Sequence, residues 1–151
     1  MQSTEQILAS APGSSQLPST SQTPSRVLVV EPHPTLRTVL VQRLRQDGHL
    51  AAAVGSAIEA VDLCREQSPD LLVSAEILDQ NTAMRLAQQL GSSVIVLTAR
   101  SGVEALVSLL DEGADDVLRK PFGLEEFCIL RLTPLIQKVF LEHHQPPHLI
   151  G

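Results

Sequence analysis

The stretch RVLVVEPHPTLRTVLVQRLRQDG, residues 26–48, determines the predicted fold. It opens with RVLVV, a run of apolar and β-branched residues without polar alternation, which is typical of a strand covered on both faces. Apolar residues then recur at helical spacing, at Leu36, Val39, Leu40 and Leu44. Gly48 provides a C-terminal stop for that helix. A buried strand followed at once by an amphipathic helix begins a β-α-β unit and so predicts a parallel sheet.

The same alternation continues downstream. Strand-like runs are HLAAAV, DLLVSA, SVIVLTA and ADDVLRK, at residues 49–54, 70–75, 93–99 and 114–120. Helical patterns occupy residues 57–67, 81–90 and 103–113, and a fifth helix is predicted to begin near Leu124. Ser56 and Glu59 predict a capping box at the start of the first of these helices, and Gly91 is predicted to close the second. Because crossovers between parallel strands are right-handed, five such units predict an α/β fold. We expect a doubly wound, five-stranded parallel sheet of the flavodoxin-like (βα)5 type.

Ligand chemistry in a sheet of this type lies beyond the carboxyl ends of its strands. Four residues fall at or just past those ends: Glu31, Ala75, Thr98 and Lys120. The sequence therefore predicts that these four side chains lie close together at one edge of the sheet and form the candidate site.

Composition limits the function classes. The chain has 151 residues, 43% of them apolar and 19% charged, which suits one soluble globular domain. Its net charge of −6 argues against a broad surface for binding nucleic-acid phosphates. No apolar run approaches the ~18 residues that span a membrane. Cys64 and Cys128 lack a Cys-x-x-Cys spacing, and we interpret them as reduced thiols of a cytoplasmic protein.

The chain divides into three predicted parts. Residues 1–25 consist mainly of Ser, Thr, Pro and Gln, and this composition predicts a disordered arm. Residues 26–132 form the α/β domain. Residues 133–151 are predicted to be an irregular C-terminal tail, or a short extra helical segment with a frayed end. The reason is that Pro134 falls where the fifth helix should continue, and an interior proline costs about 3 kcal/mol.

Five motifs in order carry a family resemblance: VLVVEPHPTLR, SPDLLVSAEIL, VIVLTAR, EGADDV and RKPF. With them, residues 26 to about 128 resemble the receiver domain of two-component response regulators, closest to the OmpR/PhoB-like group. The resemblance implies that an aspartate ending the third strand accepts phosphate from a histidine kinase. It also implies an acidic pair after the first strand that binds Mg²⁺, and a Thr or Ser and a Lys that contact the phosphoryl oxygens.

This chain departs from that pattern at most of the site. Ala75 stands at the phosphoacceptor position, and the acidic pair corresponds to Glu31 and Pro32. The aromatic switch position corresponds to Val117. Two of the implied positions are retained, Thr98 and Lys120. We therefore expect a pseudo-receiver with no catalytic residues and no cofactor, in which Mg²⁺ binding is lost or very weak and Lys120 pairs with Glu31.

Two nearby acids are candidates for a substitute phosphoacceptor. Glu76 follows Ala75 directly, but adjacent strand residues point to opposite faces, so its use would require a bulge or a register slip. Asp79 falls in the following loop, where a solvated acid is the simpler interpretation.

The resemblance also implies a dimer face on the fourth helix, fifth strand and fifth helix, with ion pairs across it. Asp115 and Asp116 match its acidic half, and Arg119 and Arg131 are candidate basic residues. Leu130 occupies the position of the implied arginine, and Arg131 follows one residue later, about 100° around a helix.

The sequence thus favours a non-enzymatic signalling module in transcription regulation that acts by protein contact, independently of aspartyl phosphorylation. Its partner would be a sensor kinase or a second copy of the chain, with no membrane contact. DNA would be bound only through an effector domain absent from this chain. The alternative is a nucleotide- or cofactor-binding enzyme on the same scaffold, against which EPHPTLR offers no glycine to admit a phosphate.

Overall fold

The computed structural model describes residues 25–144. The predicted arm, apart from Ser25, and residues 145–151 lie outside the described residues, so the prediction of a disordered arm stays a prediction. In the part that is described, no helix is long and apolar enough to cross a membrane.

Five parallel strands form the central sheet, as predicted. The chain order gives β1 (Arg26–Val30), β2 (Leu50–Val54), β3 (Leu71–Ala75), β6 (Ser93–Thr98) and β7 (Asp116–Arg119). Their spatial order is β2-β1-β3-β6-β7, so the chain crosses over β1 once and then continues along the other side of the sheet. The central strand β3 is buried at every residue, which agrees with a parallel sheet covered on both faces.

Helices cover the two faces of the sheet. They are α1 (Pro34–Gln46), α2 (Ala57–Leu63), α3 (Ala83–Leu90), α4 (Val103–Asp111), and a π-helical segment Glu126–Leu132 that continues into α5 (Thr133–His144). One core cluster lies between the sheet and α2, α3 and α4. The other lies between the sheet and α1, the π-helical segment and α5.

The ends of α2 and α3 show which local signals were reliable. The predicted capping box is confirmed, because Ser56 accepts a hydrogen bond from the Glu59 amide and Glu59 accepts one from the Gly55 amide. Gly91 ends α3 in the left-handed conformation at φ 69°. The predicted extent of α2 to residue 67 is wrong, since this helix ends at Leu63.

A two-stranded antiparallel hairpin follows β3, and the sequence did not predict it. It pairs β4 (Ile77–Leu78) with β5 (Asn81–Thr82). Asp79 lies in its turn, which agrees with the loop position predicted for it, and Gln80 has a positive φ of 58°. Strands of two residues are too short to produce a recognisable hydrophobic pattern.

Of the two forms predicted for the tail, irregular or short helical, the structure has the helical one over Thr133–His144, which form α5. The amide and the Oγ1 hydroxyl of Thr133 both donate to the carbonyl of Cys128, so the turn before Pro134 is π-helical. Pro134 therefore lies in the first turn of an α-helical stretch, where a missing amide hydrogen is tolerated. Leu135 and Val139 are buried against the sheet. The folded domain thus extends past the boundary predicted at residue 132.

Candidate functional site

The candidate site lies at the carboxyl edge of the sheet. Glu31 follows β1, Ala75 ends β3, Thr98 ends β6 and Lys120 follows β7. Backbone hydrogen bonds extend the strand pairing slightly beyond the strands. The Glu31 amide donates to the Val54 carbonyl at 3.1 Å, and the Lys120 amide donates to the Thr98 carbonyl at 2.8 Å. The parallel topology therefore brings the four predicted residues to one edge, as expected.

Glu31, which is buried, and Lys120, which is partly exposed, form an ion pair, which confirms the predicted pairing. The Lys120 Nζ lies 2.8 Å from Glu31 Oε1. The other oxygen, Oε2, accepts a hydrogen bond of 2.9 Å from the His33 amide. Glu31 is only 1% exposed, so its charge relies on these two contacts rather than on water.

The positions that differ from the family pattern present no carboxylate and no aromatic ring. Ala75 is buried at the end of β3, and its methyl group has no lone pair for a metal or for phosphorus. Val117 is buried within β7. Pro32 is exposed, and Arg37 donates to its carbonyl and, at 2.9 Å, to the carbonyl of Glu31. Arg37 therefore ties α1 to the loop after β1.

Glu76 is the site residue that sequence reasoning misplaced. We expected it on the face away from the site, but Thr98 Oγ1 donates to its Oε1 at 2.6 Å. The register explains this contact. Ala75 pairs with Leu97, so the next residues along, Glu76 and Thr98, project to the same face. The apolar pattern of a single strand does not specify which residues it pairs with on a strand distant in the sequence. No local signal therefore predicts the contact between Glu76 and Thr98.

Arg100 completes this second group. Its guanidinium contacts Glu76 Oε2 at 2.6 Å and Oε1 at 3.2 Å, and its amide donates to Thr98 Oγ1 at 3.0 Å. Two ion pairs lie at this edge, Glu31 with Lys120 and Glu76 with Arg100. Because the charges within each pair cancel, an ion that binds to any of these four side chains would have to compete with an existing pair.

The candidate dimer-face residues make contacts within the chain. Asp115 accepts from the Val94 amide at 2.8 Å. Arg131 lies 3.2 Å from Asp116, so the displaced arginine is directed at a strand of its own sheet. Arg119 is exposed at the end of β7. Three of the four predicted residues are therefore already engaged, which leaves few charges for ion pairs with a partner.

Comparison with known proteins gives a consistent assignment. The family model described as the response regulator receiver domain matches residues 27–130. The response regulator MprA of Mycobacterium sp. (strain KMS) is 34% identical over 120 residues, which cover 76% of this chain and 52% of that protein. The chain therefore spans about half the length of the curated relatives that it matches.

Solved structures share the fold. A response regulator receiver domain protein (CheY-like) from Methanospirillum hungatei JF-1 superposes with a TM-score of 0.66 at 19% identity, covering 82% of this chain and 100% of that chain. The beryllofluoride-activated NtrC4 receiver domain, solved as a dimer, gives a TM-score of 0.64 at 24% identity over 78% of this chain and 98% of that one. Since the family model covers most of the described domain, this chain belongs to the response regulator receiver domain family.

Proposed function

We propose that this receiver domain transmits a signal by protein contact, without phosphorylation of an aspartate. The observation that carries the proposal is the buried methyl group of Ala75 at the end of β3. An acyl phosphate forms only where a carboxylate is free to attack phosphorus. The carboxylates nearest to Ala75 in the chain and across the sheet, Glu76 and Glu31, are both held by basic side chains.

The same residues fit a magnesium ion poorly. Mg²⁺ requires near-octahedral oxygen coordination and gives up water reluctantly. Ala75 and Pro32 offer no side-chain oxygen, and Glu31 is already neutralised by Lys120 at 2.8 Å. We therefore propose that Mg²⁺ binding is lost or very weak, and no step of the mechanism depends on it.

A substitute phosphoacceptor remains the second candidate mechanism. Glu76 is the better placed acid, since its carboxylate meets the retained hydroxyl of Thr98. To attack phosphorus it would first have to leave Arg100, whose guanidinium contacts both of its oxygens. Asp79 is exposed in the hairpin turn. The ion pair of Glu76 supports the phosphate-independent proposal over this variant.

Incubation with acetyl phosphate and Mg²⁺, followed by intact mass measurement, tests the proposal. We expect no adduct of about 80 Da, the mass that a phosphoryl group adds. A variant carrying both Pro32→Asp and Ala75→Asp restores carboxylates at the two altered positions and serves as the positive control. A hydroxylamine-labile adduct on the unmodified chain would overturn the proposal, and its loss in Glu76→Gln or Asp79→Asn would identify the acceptor.

The proposed contact surface flanks the edge strand β7. Both α4 and the π-helical segment lie against this strand. Their exposed apolar side chains form what we call the β7 edge face: Val103, Val107, Leu110, Ile129 and Leu130. Val103 and Leu130 are 71% and 65% exposed. Large apolar side chains exposed on both elements that border one edge strand suit a protein-contact surface, and we propose a second copy of the chain as the partner, with a sensor kinase as the alternative.

The family membership favours signalling over the nucleotide- or cofactor-binding enzyme that the fold alone would allow. Because the matched curated relatives are about twice as long as the matched segment, regulation of transcription through an effector domain stays a proposal.

A further inference from the structure

The carboxylate of Glu76 joins three parts of the chain. Glu76 directly follows β3. Its carboxylate accepts a hydrogen bond from the Thr98 hydroxyl at the end of β6 and binds the Arg100 guanidinium in the loop that leads to α4. The Arg100 amide closes the group by donating to Thr98 Oγ1. We call these three residues the Glu76 clamp.

The clamp is built on fixed backbone. The Glu76 amide donates to the Leu97 carbonyl at 2.8 Å, and the Glu76 carbonyl accepts from the Ala83 amide at 2.9 Å. Thr98 is fully buried and the Glu76 side chain is 13% exposed. Charge-assisted bonds in such surroundings are short and comparatively strong. The Arg100 side chain, by contrast, is 49% exposed, so burial does not fix its position. Its bonds to Glu76 and Thr98 therefore hold the loop against the sheet.

The helix after that loop has few other anchors. At its N-terminus Gly102 has a φ of 99° and makes no side-chain capping bond. Within α4 only Ala105 and Leu109 are buried. A helix end without a cap and with little buried surface opens easily. The position of its first turn therefore depends on how loop 99–102 is held.

We propose that Glu76 is a positioning residue whose carboxylate fixes loop 99–102 and the first turn of α4, and with them the apolar residues that α4 contributes to the β7 edge face. A group of the chain itself thus holds this surface in one arrangement. The inference rests on the proposed function, because it assumes that this face is the one that meets a partner.

Hydrogen exchange of the full chain tests the clamp directly. In Glu76→Gln we expect the amides of residues 99–106 to exchange about tenfold faster, which corresponds to about 1.4 kcal/mol of local stability. Thr98→Val, which lacks the hydroxyl, should act in the same direction, whereas Thr98→Ser, which retains it, should stay close to the unmodified chain. Asp79→Asn, at an exposed acid outside the clamp, is the matched control and should leave exchange unchanged.

Exchange within β6 separates a local effect from general loss of stability. If residues 94–97 remain protected while residues 99–106 exchange faster, the clamp is supported. If both segments change together, the Arg100→Gln variant decides between the two explanations, because the half-exposed Arg100 side chain can be replaced without disturbing the core. Faster exchange of residues 99–106 alone in this variant supports the proposal. Unchanged exchange in this variant overturns it. Unchanged exchange in Glu76→Gln also overturns it. A phosphoryl adduct on the unmodified chain would instead defeat the proposed function and leave the exchange result intact.

Discussion

Lys120 neutralises a carboxylate that water does not reach. Glu31 is 1% exposed, and the Lys120 Nζ lies 2.8 Å from its Oε1. Removal of one member of a buried pair leaves the other charge uncompensated, which is more costly than the pair itself is stabilising. Lys120→Gln should therefore lower the free energy of unfolding by about 2–3 kcal/mol, below the usual range for a fully buried pair because the lysine side chain is 27% exposed.

Urea unfolding followed by circular dichroism measures this change. Lys138→Gln, at an exposed position of α5, is the matched control and should alter the midpoint little. Lys120→Arg keeps the charge and should lose less than Lys120→Gln. Equal effects of the glutamine substitutions at positions 120 and 138 would contradict a structural role for the Glu31–Lys120 pair.

His49 should make stability depend on pH. Burial lowers the pKa of this imidazole below its usual 6.5, and the nearby Asp47 carboxylate raises it only in part. As the pH falls below 6.5 the unfolded chain takes up this proton before the folded chain does, so folding loses stability. His49→Gln should flatten the fall in unfolding free energy between pH 7 and the lowered pKa, measured by urea titrations at several pH values. Identical slopes for the two chains would remove His49 as the cause.

At the scale of elements, Leu135 tests whether α5 belongs to the folded domain. Leu135 is 8% exposed and packs in the core cluster with Phe127 and Leu132, whereas Leu141 on the same helix is 65% exposed. Leu135→Ala should lower the unfolding free energy by about 2–4 kcal/mol, since it leaves a cavity, and Leu141→Ala by under about 0.5 kcal/mol. Chemical unfolding measures the unfolding free energy of both variants, which carry the same leucine-to-alanine substitution at a buried and at an exposed site. Equal effects of the two substitutions would contradict the packing of α5 as part of the folded domain.

The sequence predicted elements where local chemistry controls them. All five strands were identified from apolar runs, and the capping box at Ser56 and the stop at Gly91 were read correctly. The fifth helix was misjudged, because Pro134 was weighed as if an α-helix surrounded it on both sides. The π-helical turn closed by Thr133 removes that conflict, and the burial of Phe127 and Leu132 in the same segment is a tertiary feature that the local sequence does not show.

At the scale of the whole molecule, the site was predictable to the extent that topology alone determines it. Parallel strands must bring Glu31, Ala75, Thr98 and Lys120 to one edge, and the Glu31–Lys120 pair followed from charge. The contact between Glu76 and Thr98 was missed because it depends on the pairing of Ala75 with Leu97 across the sheet. That register joins two strands that are separated in the sequence by a hairpin and a helix, so neither strand reveals it alone.

The balance of charge and apolar surface predicts how copies of the chain associate. The chain carries a net charge of −6, while three of the candidate dimer-face charges are engaged within the chain. Contact between two copies at the β7 edge face would therefore bury apolar surface against a background of like-charge repulsion. Added salt screens that repulsion, so self-association should strengthen as ionic strength rises; an interface built on ion pairs would weaken.

Sedimentation equilibrium at low and physiological salt measures this directly. Leu130→Asp should weaken association by about tenfold or more, as expected for a charge placed in an apolar contact. Ile58→Asp is the matched control, because Ile58 is 77% exposed on α2, away from the β7 edge face, and should leave the equilibrium unchanged. A chain that stays monomeric at every concentration would contradict the homodimer. An equilibrium that weakens with salt would contradict the apolar character of the contact, because screening acts in opposite directions on repulsion between like-charged copies and on ion pairs between them.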